Sequence, residues 1–198
     1  MGRPPAGAVA HATPERLLDA AEQAFAVTGY GATRLEDIAT AAGIRRPSLL
    51  YHYPSKDSLY AAVVHRAFAQ LGAVLAEAMA LQVSFVERLA AVCNGFTRFL
   101  ADNPAPARLL VREVVDAEGP GRDILLGEVA PLLDIVERFV RLEGRGLVRP
   151  GLPIRAAILQ VASGSLLRTA SGGLRDPLWG PVDHTWDLAR TLFFESEQ

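Results

Sequence analysis

The stretch TRLEDIATAAGIRRPSLLYHYPSK, residues 33–56, decides how this chain is read. Thr33-Arg34-Leu35-Glu36 matches a capping box, in which a Thr hydroxyl takes the N–H of Glu36 and Glu36 reaches back. The spacing predicts a helix through Ile38 to about Ala42, broken at Gly43. A second helix is expected from Arg46-Pro47, where proline is tolerated because this is a first turn, to about Tyr53-Pro54. Ser55 then caps a further helix, with Asp57 favourably placed in its first turn. Helix, glycine turn, helix is a helix-turn-helix, whose second helix can lie in a DNA major groove.

The composition of residues 43–56 fits that use. Arg45 and Arg46 sit at the N-terminal end of the second helix, and an arginine grips guanine O6 and N7 with two hydrogen bonds. Pro47, Ser48 and Leu50 are short or apolar, suited to close approach and to thymine methyls. Tyr51, His52 and Lys56, the chain's one lysine, offer hydroxyl, imidazole and ammonium to phosphates. Thr33 offers a hydroxyl and a helix-end N–H to another phosphate. Leu49 is expected in the core against Ile38 and Phe25. Tyr51 and Tyr53 are equally well read as half-buried packing aromatics.

Outward from this segment the pattern stays helical. Thr13-Pro14-Glu15 starts a helix carrying Leu18, Ala21 and Phe25, ended by Gly29 in a left-handed cap position. The helix capped by Ser55 carries Leu59, Val63, Phe68, Leu71 and Leu75 to about Ala80. Further helices are expected over 84–102, 104–116, 121–144, 153–171 and 182–196, punctuated by Pro and Gly. No stretch alternates at period two, so no sheet is expected.

The 198 residues are half apolar and 21% charged, which is a globular composition. The net charge of −2 excludes a polycation that coats nucleic acid. Residues 1–56 hold six basic against five acidic side chains, so a DNA-facing patch must come from placement. Cys93 is the one cysteine, which rules out an intrachain disulfide and a four-cysteine zinc site. No signal-peptide core and no uninterrupted apolar run of ~18 residues is present. A cytoplasmic protein without membrane span, metal or cofactor is expected.

Residues 16–64, with "AAEQAF", "GYGATRLEDIA", "AAGI", "RPSL" and "YHYPSK" in order, closely resemble the DNA-binding domain of TetR/AcrR-type transcriptional regulators. The resemblance covers about a quarter of the chain. It implies an all-α homodimer: an N-terminal three-helix helix-turn-helix DNA-binding domain, a linking fourth helix, and a C-terminal helical ligand-binding and dimerisation domain. The implied division is a flexible arm over 1–12, the DNA reader over 13–58, and the ligand and dimer domain over 59–198. Carried onto this chain, the recognition helix is Arg46 to His52. Base-side positions fall on Arg46, Pro47 and Leu50, and phosphate-side positions on Thr33, Ser48, Tyr51, His52 and Lys56. Family members often have a small polar residue where Arg45 stands and an aromatic where Leu50 stands. Arg45 therefore adds a base or phosphate contact, or only replaces a cap.

The same resemblance implies a dimer through helices near 153–171 and 182–196, where Ala156, Ala157 and Gly164 permit close approach. It places a small-molecule effector among the C-terminal helices. Apolar candidates there are Phe96, Phe99, Leu100, Leu110, Val114, Leu133, Val136, Phe139 and Trp179, with Cys93, Arg112, Arg168 and His184 as polar contacts. The expected function is a repressor released from a near-palindromic double-stranded operator by a small apolar molecule. The alternative is a helical regulator or interaction module without small-molecule gating. An enzyme is not expected, because no Ser/His/Asp set, HExxH, P-loop or paired-carboxylate motif appears.

Overall fold

In the computed structural model, which describes residues 12–116 and 120–194, every regular element is helical. The order is α1 (Ala12–Ala32), α2 (Leu35–Ala41), α3 (Arg46–His52), α4 (Lys56–Met79), α5 (Phe85–Asp102), α6 (Pro104–Asp116), α7 (Pro120–Glu143), α8 (Ile154–Ala170), α9 (Arg175–Trp179) and α10 (Thr185–Phe193). A 3₁₀ turn, Gly172–Leu174, leads into α9. The expected arm lies outside the described residues over 1–11, and Ala12 is already helical. The helices expected from sequence have no counterpart for α9, because Gly172-Gly173 reads as a break between 153–171 and 182–196. Proline is accommodated there within the first turn of a five-residue helix.

Three local signals set the helix-turn-helix. Gly43 ends α2 at φ 70°, where its N–H bonds the Thr40 carbonyl at 3.0 Å and the N–H of Ile44 bonds the Ala39 carbonyl at 2.9 Å. This is a Schellman motif, and the half-buried Ile44 packs back onto the core beside it. Ser55 starts α4 with a reciprocal box, its hydroxyl taking the Ser58 N–H and the Ser58 hydroxyl taking the Ser55 N–H, both at 3.0 Å.

The box expected at Thr33 does not form. Arg34 is the N-cap of α2 and makes no side-chain cap bond. The Thr33 hydroxyl instead donates to the Gly29 carbonyl at 2.6 Å and shares a 2.6 Å bond with the Thr28 hydroxyl. Gly29 explains this. Its φ 78°, ψ 167° interrupts α1, and the turn that follows brings the freed carbonyl to Thr33. The conformation is extended with positive φ, a region kept essentially for glycine, and not the left-handed cap expected from sequence.

Two cores result. One joins Leu17, Phe25, Ile38, Leu49, Leu59, Tyr60 and Val63 with Leu109 of α6 and Leu125 of α7. The other joins Leu71 and Leu75 of α4 with Phe85, Phe99, Val136, Val140 and Phe193. α4 belongs to both. By length and composition α4 is apolar enough to cross a membrane, and that apolar character is what two protein cores require of it: Leu59, Val63, Leu71 and Leu75 are all buried.

Candidate nucleic-acid interface

α3 spans Arg46–His52, the range expected. Leu49 is its anchor, fully buried in one cluster with Ile38 and Phe25 as expected. The opposite face is solvent: Arg45, Arg46, Pro47, Ser48, Tyr51 and His52 are exposed, Tyr51 at 85%. Tyr51 and Tyr53 divide the alternatives between them, since Tyr53 is half-buried and packs on the core. Leu50 is half-buried on the same core, so it shares its surface between packing and solvent.

The charged groups are differently engaged. Arg46 meets Glu36 at 3.0 Å, both side chains more than half exposed. Such a pair is worth ~0–1 kcal/mol and is exchanged easily for a stronger partner. Lys56 is turned onto the end of α1: its Nζ donates to the Gly31 carbonyl at 2.9 Å and lies 4.6 Å from the Tyr30 ring centre. Partial burial pulls its pKa down, against the pull of Asp57. The Tyr30 hydroxyl donates to Asp57, and burial followed by that bond pushes the Tyr30 pKa up to about 12. Lys56, Tyr30 and Asp57 thus fasten the α1 turn to the start of α4, a role the sequence reading missed.

Thr33 is engaged within the chain. It is buried, and its N–H (3.3 Å) as well as its hydroxyl is spent on the Gly29 carbonyl. The exposed cation at that helix start is Arg34, whose position before the acidic Glu36-Asp37 pair drew no notice in the sequence.

Of the nine apolar pocket candidates, five gather in the second core and four lie elsewhere. Phe99, Leu100, Val136 and Phe139 are buried in the second core and Phe96 packs against it. Leu110 packs on the first core, and Leu133 is half-buried on α7. Val114 is 69% and Trp179 39% exposed. Phe139 lines a surface groove with Met79, Arg88 and Ile135. The stripe residues Phe99, Leu100, Val136 and Phe139 are spent on core packing. Of the polar candidates, Cys93 is buried, which pushes its thiol up to about 12. His184 is exposed and pairs with Asp187 at 3.0 Å. Arg112 donates to the Val27 carbonyl at 3.0 Å. Arg168 lines a cavity with Arg108, Arg175 and Asp183.

A solvent-facing helix anchored by its buried Leu49, with Arg46 in its first turn and Arg45 at its N-cap, set behind a glycine turn, defines a helix-turn-helix. Residues 17–63 match the model of the bacterial regulatory proteins of the tetR family. The HTH-type transcriptional regulator RutR of Escherichia coli strain K12 is 34% identical over 126 residues, which is 62% of this chain and 58% of RutR. The chain thus spans a little over half the length of this curated relative. The fold is also that of the fatty acid degradation regulator FadR of Bacillus halodurans, with a TM-score of 0.75 at 16% identity, covering 90% of this chain and 96% of that one. FadR of Bacillus subtilis, solved in complex with stearoyl-CoA, gives a TM-score of 0.73 at 18% identity, over 90% and 97% of the two chains.

Proposed function

We propose that this chain is a ligand-responsive, sequence-specific regulator, most simply a repressor of the cytoplasm that leaves a near-palindromic operator when a small molecule binds. The observation that carries the reading is the two-sided α3, with Leu49 fully buried and Arg45, Arg46, Ser48, Tyr51 and His52 facing solvent. On this reading residues 13–58 read DNA, with Arg46, Pro47 and Leu50 towards bases and Ser48, Tyr51, His52 and Lys56 towards phosphates. Arg34 takes over the phosphate first assigned to Thr33. Residues 59–198 hold effector and partner.

A homodimer through α8 and α10 supports an operator with two half-sites. Leu159, Leu167 and Leu188 on those helices stand 45%, 47% and 66% exposed, apolar area that a second copy would cover. Two recognition helices must then stand roughly 34–36 Å apart, or a multiple, and an effector works by favouring a different spacing. Small-molecule gating draws support from FadR of Bacillus subtilis, the same fold in complex with stearoyl-CoA.

The test is binding of purified protein to its own upstream intergenic DNA at two salt concentrations. Wild type should bind one near-palindrome tightly, and Arg46→Ala should relax base preference by ~1–3 kcal/mol while unfolding normally. Weak, sequence-blind binding by a folded wild type, there and in a genome-wide pull-down, would replace the reading with an ungated interaction module.

A further inference from the structure

The cavity between the end of α5, the start of α6, α8 and the 3₁₀ turn is cationic. Its volume is about 250 Å³, and Arg108, Arg168 and Arg175 line it against one carboxylate, Asp183. Thr97, Ser165 and Thr169 also line it. The three arginines are not equally satisfied. Arg175 is held through Nε by Asp176 at 2.8 Å. Arg168 donates from Nη2 to the Gly180 carbonyl at 3.1 Å and stands 3.7 Å from Asp183, yet its Nε is buried with no hydrogen-bond partner. Arg108 makes no hydrogen bond or ion pair among the described residues. A buried guanidinium N–H left without an acceptor costs free energy comparable to a lost hydrogen bond. Three guanidiniums converging on one space also repel. An oxyanion that accepts several N–H bonds at once relieves that repulsion.

We infer that this cavity binds a small oxyanion, a carboxylate or a phosphate, through Arg108, Arg168 and Arg175. The volume lies below the ~300–1,000 Å³ usual for drug-sized ligands, so the guest is a compact metabolite. Apolar character is not what this site selects. Its regulatory consequence rests on the DNA-reading function proposed above. Arg108 sits on α6 one turn before Arg112, whose Nη2 reaches the Val27 carbonyl of α1 at 3.0 Å. Arg108 and Arg112 also line a second space together with Ala26 of α1. An anion that draws Arg108 towards α8 therefore acts on the same helix that clasps the DNA reader.

The experiment is calorimetric titration of the full chain with inorganic phosphate, succinate and benzoate, at ionic strength held constant with sodium chloride. At least one should bind saturably, one per chain, and the preferred arm tells phosphate from carboxylate. Arg108→Gln and Arg175→Gln should each weaken it by about tenfold or more, the loss of a charged hydrogen bond. Arg138→Gln, on the α7 surface, should leave it unchanged. Both test positions are exposed, so folding is not at stake, and a melting curve confirms it. No saturable binding of any of the three anions, or binding indifferent to Arg108 and Arg175, overturns the site. The bound anion should also change operator affinity about fivefold or more in wild type and not in Arg108→Gln. Anion binding with operator affinity unchanged overturns the coupling alone. Anion binding by a protein that reads no DNA leaves the site standing and refutes the function.

Discussion

Gly29→Ala is the substitution that tests most of the fold at once. Gly29 lies at φ 78°, ψ 167°, and a Cβ built on it would stand 2.8 Å from Cδ of Arg112. Two costs follow. The backbone conformation is one that alanine adopts only under strain, ~1–3 kcal/mol. The new methyl also displaces the Arg112 side chain, and with it the bond to the Val27 carbonyl, worth ~1 kcal/mol at an exposed site. The sum is about 2–4 kcal/mol. Gly43→Ala is the control. It too has positive φ, at 70°, but its Cβ would meet nothing within 4 Å, so only the left-handed penalty of ~1–2 kcal/mol applies. Urea unfolding at one fixed protein concentration reads both. With m near ~2 kcal/mol/M, Gly29→Ala should lower the midpoint by ~1–2 M and Gly43→Ala by about half as much. Equal losses would mean that the Arg112 contact contributes nothing. A loss at Gly29 below ~0.5 kcal/mol, the level of an ordinary surface change, would refute the strain argument.

Two further outcomes separate anchor from surface and fix the pH response. Leu49→Ala should destabilise by ~2–5 kcal/mol in the same urea assay, whereas Tyr51→Ala should stay within ~0.5 kcal/mol while weakening operator binding; the reverse order would turn α3 around. Tyr30 is raised to about 12 from 10.0, first by burial and then by Asp57. The folded state therefore holds this proton more tightly, so stability is fully present below pH 10 and falls as pH rises towards 12. Alkaline melting curves of Tyr30→Phe should fall less steeply over that window, and a decline identical to wild type would exclude Tyr30 as its source.

The helix-turn-helix was legible because its determinants are local. A glycine after Ala42, a proline in the first turn of α3 and Ser55 before Lys56 each act within a few residues, so α3 and the start of α4 fall where the sequence places them. Thr33 shows the limit. Its capping box is a sound local expectation, but the competing Gly29 carbonyl becomes available only once α1 is interrupted and the chain turns. Lys56 is a second case, since its partners Tyr30 and Gly31 come from a different helix. The cationic cavity was illegible for a deeper reason. Apolar periodicity reports which face of a helix is buried, not whether the burial leaves space. Phe99, Val136 and Phe139 satisfy the pattern by filling the core, and the cavity opened where Arg108, Arg168 and Asp183 meet across three segments.

On the proposed function, how the DNA-reading segment would answer to a C-terminal site is constrained by which helices the two cores share. Leu109 of α6 and Leu125 of α7 are buried in the same cluster as Leu17, Ile38 and Leu49. Two residues earlier, Ala107 of α6 is buried in the other cluster with Phe99 and Ala157. α6 thus bridges the cores within one turn, and α4 bridges them along its length. The polar side chains of α6 repeat the connection: Arg108 faces the cationic cavity, Arg112 holds the end of α1, and the buried Glu113 acts by its charge on Tyr60 and Tyr30. Packed interiors move in discrete rearrangements, not by continuous deformation. A shift of α6 relative to α8 must then carry Leu109 and Arg112 with it, or break the first core. Since that core includes the anchor Leu49, the orientation of α3 is tied to the position of α6 by contact alone.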